Sequence, residues 1–386
     1  MTRRILIFTG TRAEYGLLRN VLRHLVKQDG IDAHLLVSGS HLSSVFGGTR
    51  DEIEKDGLAP VYAVDIGLGE DSPVSVCRSM GLAMERYGEA LTRLRPDLLM
   101  VLGDRYEALC AVAAAAVLRV PVAHLYGGES TQGAVDEYFR HAMTKMSHLH
   151  FTSCEIYRRR IIRMGEEPDK VWNVGSLGVE NARSLPELSE REVRTYLGVP
   201  ADIPYVVATY HPATQEGEAP EAQLTQVLEA LGAWPDLHVV FTGANADAGG
   251  ARLNTLLSNW AEGNPCGHFF LSLGVERYLN AARYAVGVVG NSSSGVLEIP
   301  SLGVPVLDIG SRQEGRERSR AVLHCQPERE DMEKALERLF SPDAREAARR
   351  EPNPYEQTGT ARNIANIVSE FNVSDILKKK FFDATD

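Results

Sequence analysis

Carboxylates that could transfer protons are concentrated where predicted strands end and helices begin. In the first half of the chain, Gly103-Asp104-Arg105 follows an apolar run, and Glu129 and Asp136 follow the next such run. Carboxylates that are brought together can have their pKa values pushed apart, so that one serves as an acid and the other as a base. We therefore predict acid–base catalysis here. The alternative is that Asp104 and Asp136 simply cap helices.

A serine-rich segment in the second half has the composition of an anion site. Gly290-Asn291-Ser292-Ser293-Ser294-Gly295 lies between an apolar run and a helical pattern. Small residues let backbone N–H groups approach an anion, serine hydroxyls add donors, and a helix N-terminus adds partial positive charge. This pattern predicts phosphate binding by Ser292, Ser293, Ser294 and Gly295, although serine and asparagine are also common helix caps. Glu298, one turn later, either binds a sugar or ribose hydroxyl or faces solvent.

Other polar residues at strand ends extend this set of candidates. Gly10-Thr11-Arg12 is a second possible phosphate or sugar turn, with Arg12 as a charge-assisted donor or as an ordinary surface arginine. It lacks the Gly-x-Gly-x-x-Gly pattern, so no nicotinamide cofactor is expected. His211 ends a strand and is a candidate proton carrier. Further nucleotide-binding candidates at such ends are Arg105, Asn245 and Arg316. No His, Cys and carboxylate group has metal-ligand spacing, and we expect no metal.

The elements that must position these residues alternate between strand and helix. Strands are predicted at Ile5–Phe8, Ala33–Val37, Leu98–Leu102, Pro121–Leu125, Tyr205–Thr209, Leu237–Phe241, Tyr284–Val289 and Val304–Ile309. Helical periodicity covers Glu14–Lys27, Ser72–Leu94, Ala108–Leu118 and Ala361–Lys380. This alternation predicts an α/β fold with parallel sheets covered on both faces. In such sheets ligands bind outside the carboxyl ends of the strands.

The alternation of strands and helices occurs in both halves of the chain, and 386 residues are too many for one hydrophobic core of ordinary size. We predict an N-terminal Rossmann-like domain over residues 1–185 that carries the carboxylates. A C-terminal Rossmann-like nucleotide-binding domain should cover residues 186–365. Residues 366–386 should form a C-terminal helix or tail, which could pack on the first domain. Two sheets that face each other would form a cleft, where ligands often bind.

The composition excludes several classes of protein. A formal net charge of -11 argues against nonspecific nucleic-acid binding, which needs a basic face. No apolar stretch is long enough to span a membrane, and the N-terminus lacks the features of a secretion signal. The five cysteines are odd in number and form no Cys-x-x-Cys pair, so a reducing cytoplasm fits best.

Seven motifs in order resemble those of the hydrolysing UDP-N-acetylglucosamine 2-epimerases, enzymes of sialic and legionaminic acid precursor synthesis. The resemblance spans roughly residues 5 to 325. The motifs are Gly10-Thr11-Arg12-Ala13-Glu14-Tyr15, Gly103-Asp104-Arg105, Gly127-Gly128-Glu129, Arg140-His141-Ala142-Met143-Thr144-Lys145, His211-Pro212, Asn291-Ser292-Ser293-Ser294-Gly295 and Gly310-Ser311-Arg312-Gln313-Glu314-Gly315-Arg316.

The resemblance implies a glycosyltransferase-B-like fold and a reaction without metal or nicotinamide. UDP is eliminated across carbons 1 and 2 to give a 2-acetamidoglucal, and water then adds with inversion at carbon 2. By position, Asp104 and Asp136 match the family's proton-transfer carboxylates, and His211 matches the histidine near the diphosphate. The positions that match nucleotide-phosphate ligands are Arg12, Ser292, Ser293 and Arg316, and Glu298 matches the ribose ligand.

One position departs from the family pattern. Many members have a carboxylate just before the Gly-Gly pair, where this chain has Tyr126. A tyrosine with a pKa of about 10 donates a proton poorly, so either Glu129 takes the role or Tyr126 marks a subfamily with another sugar.

Several functions therefore stay open. The substrate is expected to be UDP-N-acetylglucosamine, or a UDP- or GDP-linked 2,4-diacetamido-2,4,6-trideoxyhexose. The alternatives are a non-hydrolysing epimerase, a glycosyltransferase and a nucleotide-binding regulatory protein. We expect a homo-oligomer, either a dimer or a tetramer.

Overall fold

The computed structural model describes residues 2–43, 48–69, 72–131, 135–212, 219–244, 249–372 and 376–383. The chain divides into two compact units. Unit 1 comprises Met1–Ser130, Ala134–Glu180 and Gln357–Asp386, and unit 2 comprises Thr131–Gly133 and Asn181–Glu356. Apart from residues 131–133, the divisions fall after residues 180 and 356, and the sequence predicts them after residues 185 and 365.

Each unit is built on one parallel sheet. The strands of the described residues are β1 (Arg3–Thr9), β2 (Ile31–Val37), β3 (Val61–Ala63), β4 (Leu98–Leu102), β5 (Val122–Leu125), β6 (Leu149–Thr152), β7 (Val171–Asn173), β8 (Tyr205–Thr209), β9 (His238–Thr242), β10 (Gly267–Phe270), β11 (Gly287–Gly290), β12 (Val306–Ile309) and β13 (Val322–Cys325). The strand order is β3-β2-β1-β4-β5-β6-β7 in unit 1 and β10-β9-β8-β11-β12-β13 in unit 2. The predicted α/β class with two Rossmann-like sheets is confirmed.

Helices connect the strands. They are α1 (Arg12–Leu25), α2 (Arg50–Asp56), α3 (Pro73–Leu94), α4 (Tyr106–Val117), α5 (Asp136–Met146), α6 (Glu155–Arg163), α7 (Leu177–Ser184), α8 (Glu190–Leu197), α9 (Pro220–Gly232), α10 (Gly250–Gly263), α11 (Gly274–Tyr284), α12 (Ser293–Leu297), α13 (Arg329–Leu339), α14 (Pro342–Arg350) and α15 (Thr360–Glu370). Short 3-10 helices lie at Gly39–Leu42, Pro168–Lys170 and Ile299–Leu302.

Burial on both faces explains why the central strands are continuous apolar runs. Along β1, Ile5 and Ile7 join the core beneath α1 and α15, whereas Leu6 and Phe8 join the core beneath α3 and α4. α15 packs against α1, so the chain returns to unit 1 after unit 2. The helix predicted over Ala361–Lys380 ends at Glu370, because the backbone turns extended at Phe371.

The strand order reverses at one place in each sheet. In unit 1, β1 pairs with both β2 and β4. In unit 2, β8 pairs with both β9 and β11, with Thr209 opposite Gly290. The connections that leave two such neighbouring strands run in opposite directions and open a crevice at the carboxyl ends, where open α/β sheets bind ligands. The segments around Gly10, Gly103, His211 and Asn291 follow these strands.

Candidate active site

The turn that carries Asp104 is held rigidly at the end of β4. Gly103 adopts a left-handed φ of 81°, which favours glycine. Its N–H donates to Leu125 O at 3.0 Å, and its carbonyl accepts from His124 Nε2 at 2.7 Å. Burial lowers the pKa of His124 to about 3, so the ring is neutral and donates its Nε2–H. Asp104 therefore follows a residue, Gly103, whose N–H and carbonyl are both hydrogen-bonded to β5.

A buried arginine gathers the polar groups of this region. Arg140 is 2% exposed on α5, and its guanidinium donates to the carboxylates of Asp104 and Glu137 and to the carbonyl of Glu129, the last at 2.9 Å. Glu137 also accepts from Ser130 Oγ at 2.9 Å. A buried cation is stable only when its donors are paired. Arg140 therefore holds Asp104, Glu137 and the Glu129 carbonyl in a fixed arrangement. Arg140 belongs to one of the sequence motifs, but the motif alone does not predict this role.

Asp104 and Asp136 lie close enough to repel each other electrostatically, and their catalytic role stays a prediction. Neither is an N-cap, since Arg105 occupies that position in α4 and Val135 in α5. Partial desolvation and repulsion from Asp104 raise the pKa of Asp136, and nearby arginines reduce this effect without reversing it. The two carboxyls thus differ in environment. Asp104 binds a buried cation, while Asp136 holds a proton more readily than an ordinary aspartate does.

Glu129 and Tyr126 turn their side chains to other partners. Glu129 is 8% exposed, and its Oε1 accepts from Ser153 Oγ at 2.7 Å. Tyr126 has a left-handed φ of 67°, and its hydroxyl oxygen contacts Ser176 Oγ at 3.2 Å and accepts from Leu177 N at 2.8 Å. Burial raises the pKa of Tyr126 well above its ordinary value. Tyr126 therefore anchors the start of α7 and is a poor proton donor.

The two other cations predicted at strand ends in unit 1 are both paired. Arg12 opens α1 with a side chain 73% exposed, and its Nε lies 3.1 Å from Glu52 Oε2. Arg105 donates to both carboxylate oxygens of Glu107, at 3.2 and 2.8 Å. Arg12 keeps most of its surface in solvent, so its ion pair can be exchanged for another anion at low cost.

In unit 2, Asn291 ties the predicted serine segment to the end of β8. Its Oδ1 accepts from His211 N at 2.7 Å, and its Nδ2 donates to His211 O at 2.9 Å. Its own carbonyl accepts from Arg312 Nη1 at 3.1 Å and from Gln313 Nε2 at 2.9 Å. The backbone of His211 is therefore fixed relative to the serines. The sequence indicates Asn291 only as part of a turn of small residues and does not predict this contact.

The serine segment is joined to β11 by Gly290, whose backbone conformation only glycine can adopt without a clash. Gly290 has a φ of 136°, and a Cβ placed there would lie 1.9 Å from the carbonyl oxygen of Thr209. The next residues lead into the five-residue helix α12, and the Ser292 side chain makes no capping hydrogen bond. Ser292, Ser293 and Ser294 are half-buried, Gly295 is buried, and Glu298 follows the helix. The three serines thus follow a tight turn at the end of β11, and anion binding by them stays a prediction.

The remaining candidates are less informative. Arg316 is half-buried in the loop after β12, where Arg318 binds Asp308 at 2.7 Å. Asn245 lies outside the described residues. Among the described residues no cluster of three His, Cys, Asp or Glu side chains could hold a metal ion, and no helix is long and apolar enough to cross a membrane.

Comparison with known proteins gives a consistent result. The family model for UDP-N-acetylglucosamine 2-epimerase matches residues 23–369. The GDP/UDP-N,N'-diacetylbacillosamine 2-epimerase (hydrolyzing) of Campylobacter jejuni is 35% identical over 99% of both chains. Polysialic acid biosynthesis protein P7 of Escherichia coli is 34% identical over 96% of this chain and 94% of its own length.

The fold is also found among solved structures. The UDP-GlcNAc 2-epimerase of Neisseria meningitidis, solved bound to UDP-GlcNAc, aligns with a TM-score of 0.72 at 17% identity. The alignment covers 95% of this chain and all of the other. It shows a shared glycosyltransferase-B-like architecture.

Proposed function

The chain belongs to the UDP-N-acetylglucosamine 2-epimerase family, and we propose that it is a hydrolysing member that releases a free 2-epimerised sugar from a nucleotide sugar. The observation that carries this proposal is the pair Asp104 and Asp136, one bound to buried Arg140 and the other with a raised pKa. Two carboxyls in such different environments can serve as base and acid in one reaction.

The reaction explains why such a pair is needed. The proton on carbon 2 of the sugar is not acidic, so its removal needs a positioned base, and hydration of the resulting double bond needs a proton donor. We assign the base to Asp104 and the acid to Asp136. Each positioned group of this kind contributes ~10²–10⁴-fold to the rate. Arg140 acts as the positioning cation.

Loss of the diphosphate needs donors that stabilise the departing negative charge. In unit 2 we assign this work to Ser292, Ser293, Ser294, Arg316 and His211, and the ribose hydroxyls to Glu298. The reciprocal hydrogen bonds between Asn291 and His211 support this assignment. Donors fixed before the ligand arrives lose little entropy when it binds.

Two sugar substrates fit this proposal. UDP-N-acetylglucosamine is the first, and it would yield UDP and N-acetylmannosamine. The second is a UDP- or GDP-linked 2,4-diacetamido-2,4,6-trideoxyhexose, which the similarity to the Campylobacter jejuni enzyme favours. The position of Tyr126, where many members carry a carboxylate, is compatible with a subfamily that accepts a different sugar.

The test is incubation of the protein with each nucleotide sugar in heavy water. We expect release of UDP or GDP, seen by phosphorus NMR, together with a free sugar deuterated at carbon 2. Deuterium in an intact nucleotide sugar would instead indicate a non-hydrolysing epimerase. Transfer of the sugar to an added acceptor would indicate a glycosyltransferase. Tight nucleotide binding without any product would refute the assignment of catalysis.

A further inference from the structure

The turn after β1 rests on a buried carboxyl that the mechanism above does not use. Glu14, in the first turn of α1, is 6% exposed, and its Oε2 accepts from Gly10 N–H at 2.6 Å. The other oxygen, Oε1, is buried and has no hydrogen-bond partner in the described part of the chain. Ionisation of a buried carboxyl with one unpaired oxygen is unfavourable, so Glu14 keeps its proton to a higher pH than a surface glutamate does.

A second buried carboxyl lies beside it. Glu107, at the start of α4, is 1% exposed, and Arg105 donates to both of its oxygens. A Cβ placed on Gly10 would lie 3.6 Å from Glu14 Oε2 and 3.7 Å from the Cβ of Glu107. Two buried acidic side chains thus lie beside the same glycine, and the guanidinium of Arg105 makes its hydrogen bonds to Glu107.

This arrangement puts the titration of Glu14 in the neutral range. Burial raises its pKa to about 7, and Glu107 adds to the increase. The hydrogen bonds from the Gly10 and Thr11 backbone and the charge of Arg105 act in the opposite direction but are weaker. Glu14 is therefore mainly neutral below this pH and mainly charged above it.

The carboxyl is coupled to a turn that is fixed on its other side. The Gly10 carbonyl accepts from Ser40 N at 2.9 Å and from Ser40 Oγ at 3.1 Å. Thr11 caps α1 by accepting from Glu14 N at 3.3 Å, and Arg12 is the first residue of that helix. The Gly10–Arg12 segment thus has little freedom to adjust when the charge of Glu14 changes.

We propose that Glu14 is a positioning residue that holds the Gly10–Arg12 turn for the substrate diphosphate and takes up a proton when that anion binds. The proposal rests on the function proposed above. An ionised Glu14 repels an anion beside the turn, whereas a neutral Glu14 still accepts the hydrogen bond from Gly10 without that repulsion. By linkage, the affinity for the diphosphate falls as the pH rises through the titration of this carboxyl.

The experiment measures KM for the nucleotide sugar between about pH 6 and 8.5. A sugar diphosphate diester has no proton to lose in this range, unlike UDP, so a change in KM reports the protein. We expect KM of the wild type to rise about tenfold, since two unit charges about 12 Å apart at an effective dielectric of about 20 interact with roughly this strength. Glu14→Gln keeps an acceptor for Gly10 and cannot ionise, so its KM should stay near the low-pH value throughout.

Glu107→Gln is the second variant, and it remains informative if Glu14→Gln does not fold. Loss of the Glu107 charge frees Arg105 to stabilise ionised Glu14, so the rise in KM should move to lower pH. A flat KM in the wild type, or an unchanged rise in Glu14→Gln, would overturn the proposal while turnover itself stands. Absence of any turnover in the wild type would instead refute the function on which the proposal rests.

Discussion

Glu166→Gln should destabilise unit 1 through a cluster that the active site does not include. Glu166 has a side chain 3% exposed and contacts three basic groups: Lys145 Nζ at 2.6 Å, Lys379 Nζ at 2.7 Å and His150 Nε2 at 3.0 Å. Burial alone would raise its pKa, but the hydrogen bonds from these three groups outweigh it and lower the pKa to about 2. The variant removes the only negative charge of this cluster that the structure describes.

The expected loss of stability follows from the lowered pKa of Glu166 in the folded protein. The value falls from its ordinary 4.5 to about 2, and each tenfold change in proton affinity is worth ~1.4 kcal/mol. Ionised Glu166 therefore contributes about 3 kcal/mol to the free energy of unfolding. Because the folded pKa is depressed, this contribution is complete above about pH 4.5 and is lost as the pH falls towards 2. The difference between wild type and variant should be about 3 kcal/mol at neutral pH and less than half of that near pH 3.

Unfolding of unit 1 can be followed separately. The chain has three tryptophans, of which Trp172 lies in unit 1 and Trp234 and Trp260 in unit 2. Urea unfolding monitored by tryptophan fluorescence in a Trp234→Phe, Trp260→Phe background therefore reports unit 1 alone. Glu54→Gln, which breaks an exposed ion pair with Arg50, is the matched control and should cost only a few tenths of a kcal/mol. A loss under 1 kcal/mol for Glu166→Gln at neutral pH, or an equal loss at both pH values, would refute the reasoning.

Three further predictions concern the site. Asp104→Asn should retain UDP affinity by calorimetry but lose at least about a hundredfold in kcat, because the proposed base is removed; near wild-type turnover would exclude Asp104 from the chemistry. Ser293→Ala should weaken UDP binding roughly three- to tenfold, as expected for one lost hydrogen bond; an unchanged Kd would contradict the phosphate assignment. Gly290→Ala should lower the Tm sharply or prevent folding, because its Cβ would clash with the Thr209 carbonyl, whereas Gly263→Ala has open space and should leave the Tm nearly unchanged.

The central strands could be predicted because burial on both faces leaves a clear trace in the sequence. β1, β4 and β8 each contain an uninterrupted apolar run, and each begins and ends within two residues of its predicted limits. The three- and four-residue strands β3 and β10 lie at sheet edges and are only partly buried. Their patterns are too short to be distinguished from loops.

The positions of the candidate residues could be predicted better than their contacts. The rule that ligands bind at the ends of parallel strands pointed to Asp104, which follows β4, and to the serine segment, which follows β11 and leads into α12. The role of Arg140 depends on Asp104, 36 residues earlier in the chain, and on no local pattern. The sequence signal that could have indicated this role is the spacing of one helical turn between Asp136 and Arg140. The titration of Glu14 depends likewise on burial beside Glu107, which only the folded sheet creates.

The return of the chain to unit 1 has a consequence for biosynthesis. Apart from residues 131–133, unit 2 is the continuous stretch of residues 181–356, so that stretch can fold as soon as it leaves the ribosome. Unit 1 cannot complete its folding at that stage, because α15 packs on α1 and Lys379 contacts Glu166 only after all of unit 2 has been translated. During that interval the face of α1 that α15 later covers is open to solvent. In the nascent chain α1 is therefore accessible to chaperones and to misassociation until α15 has been translated.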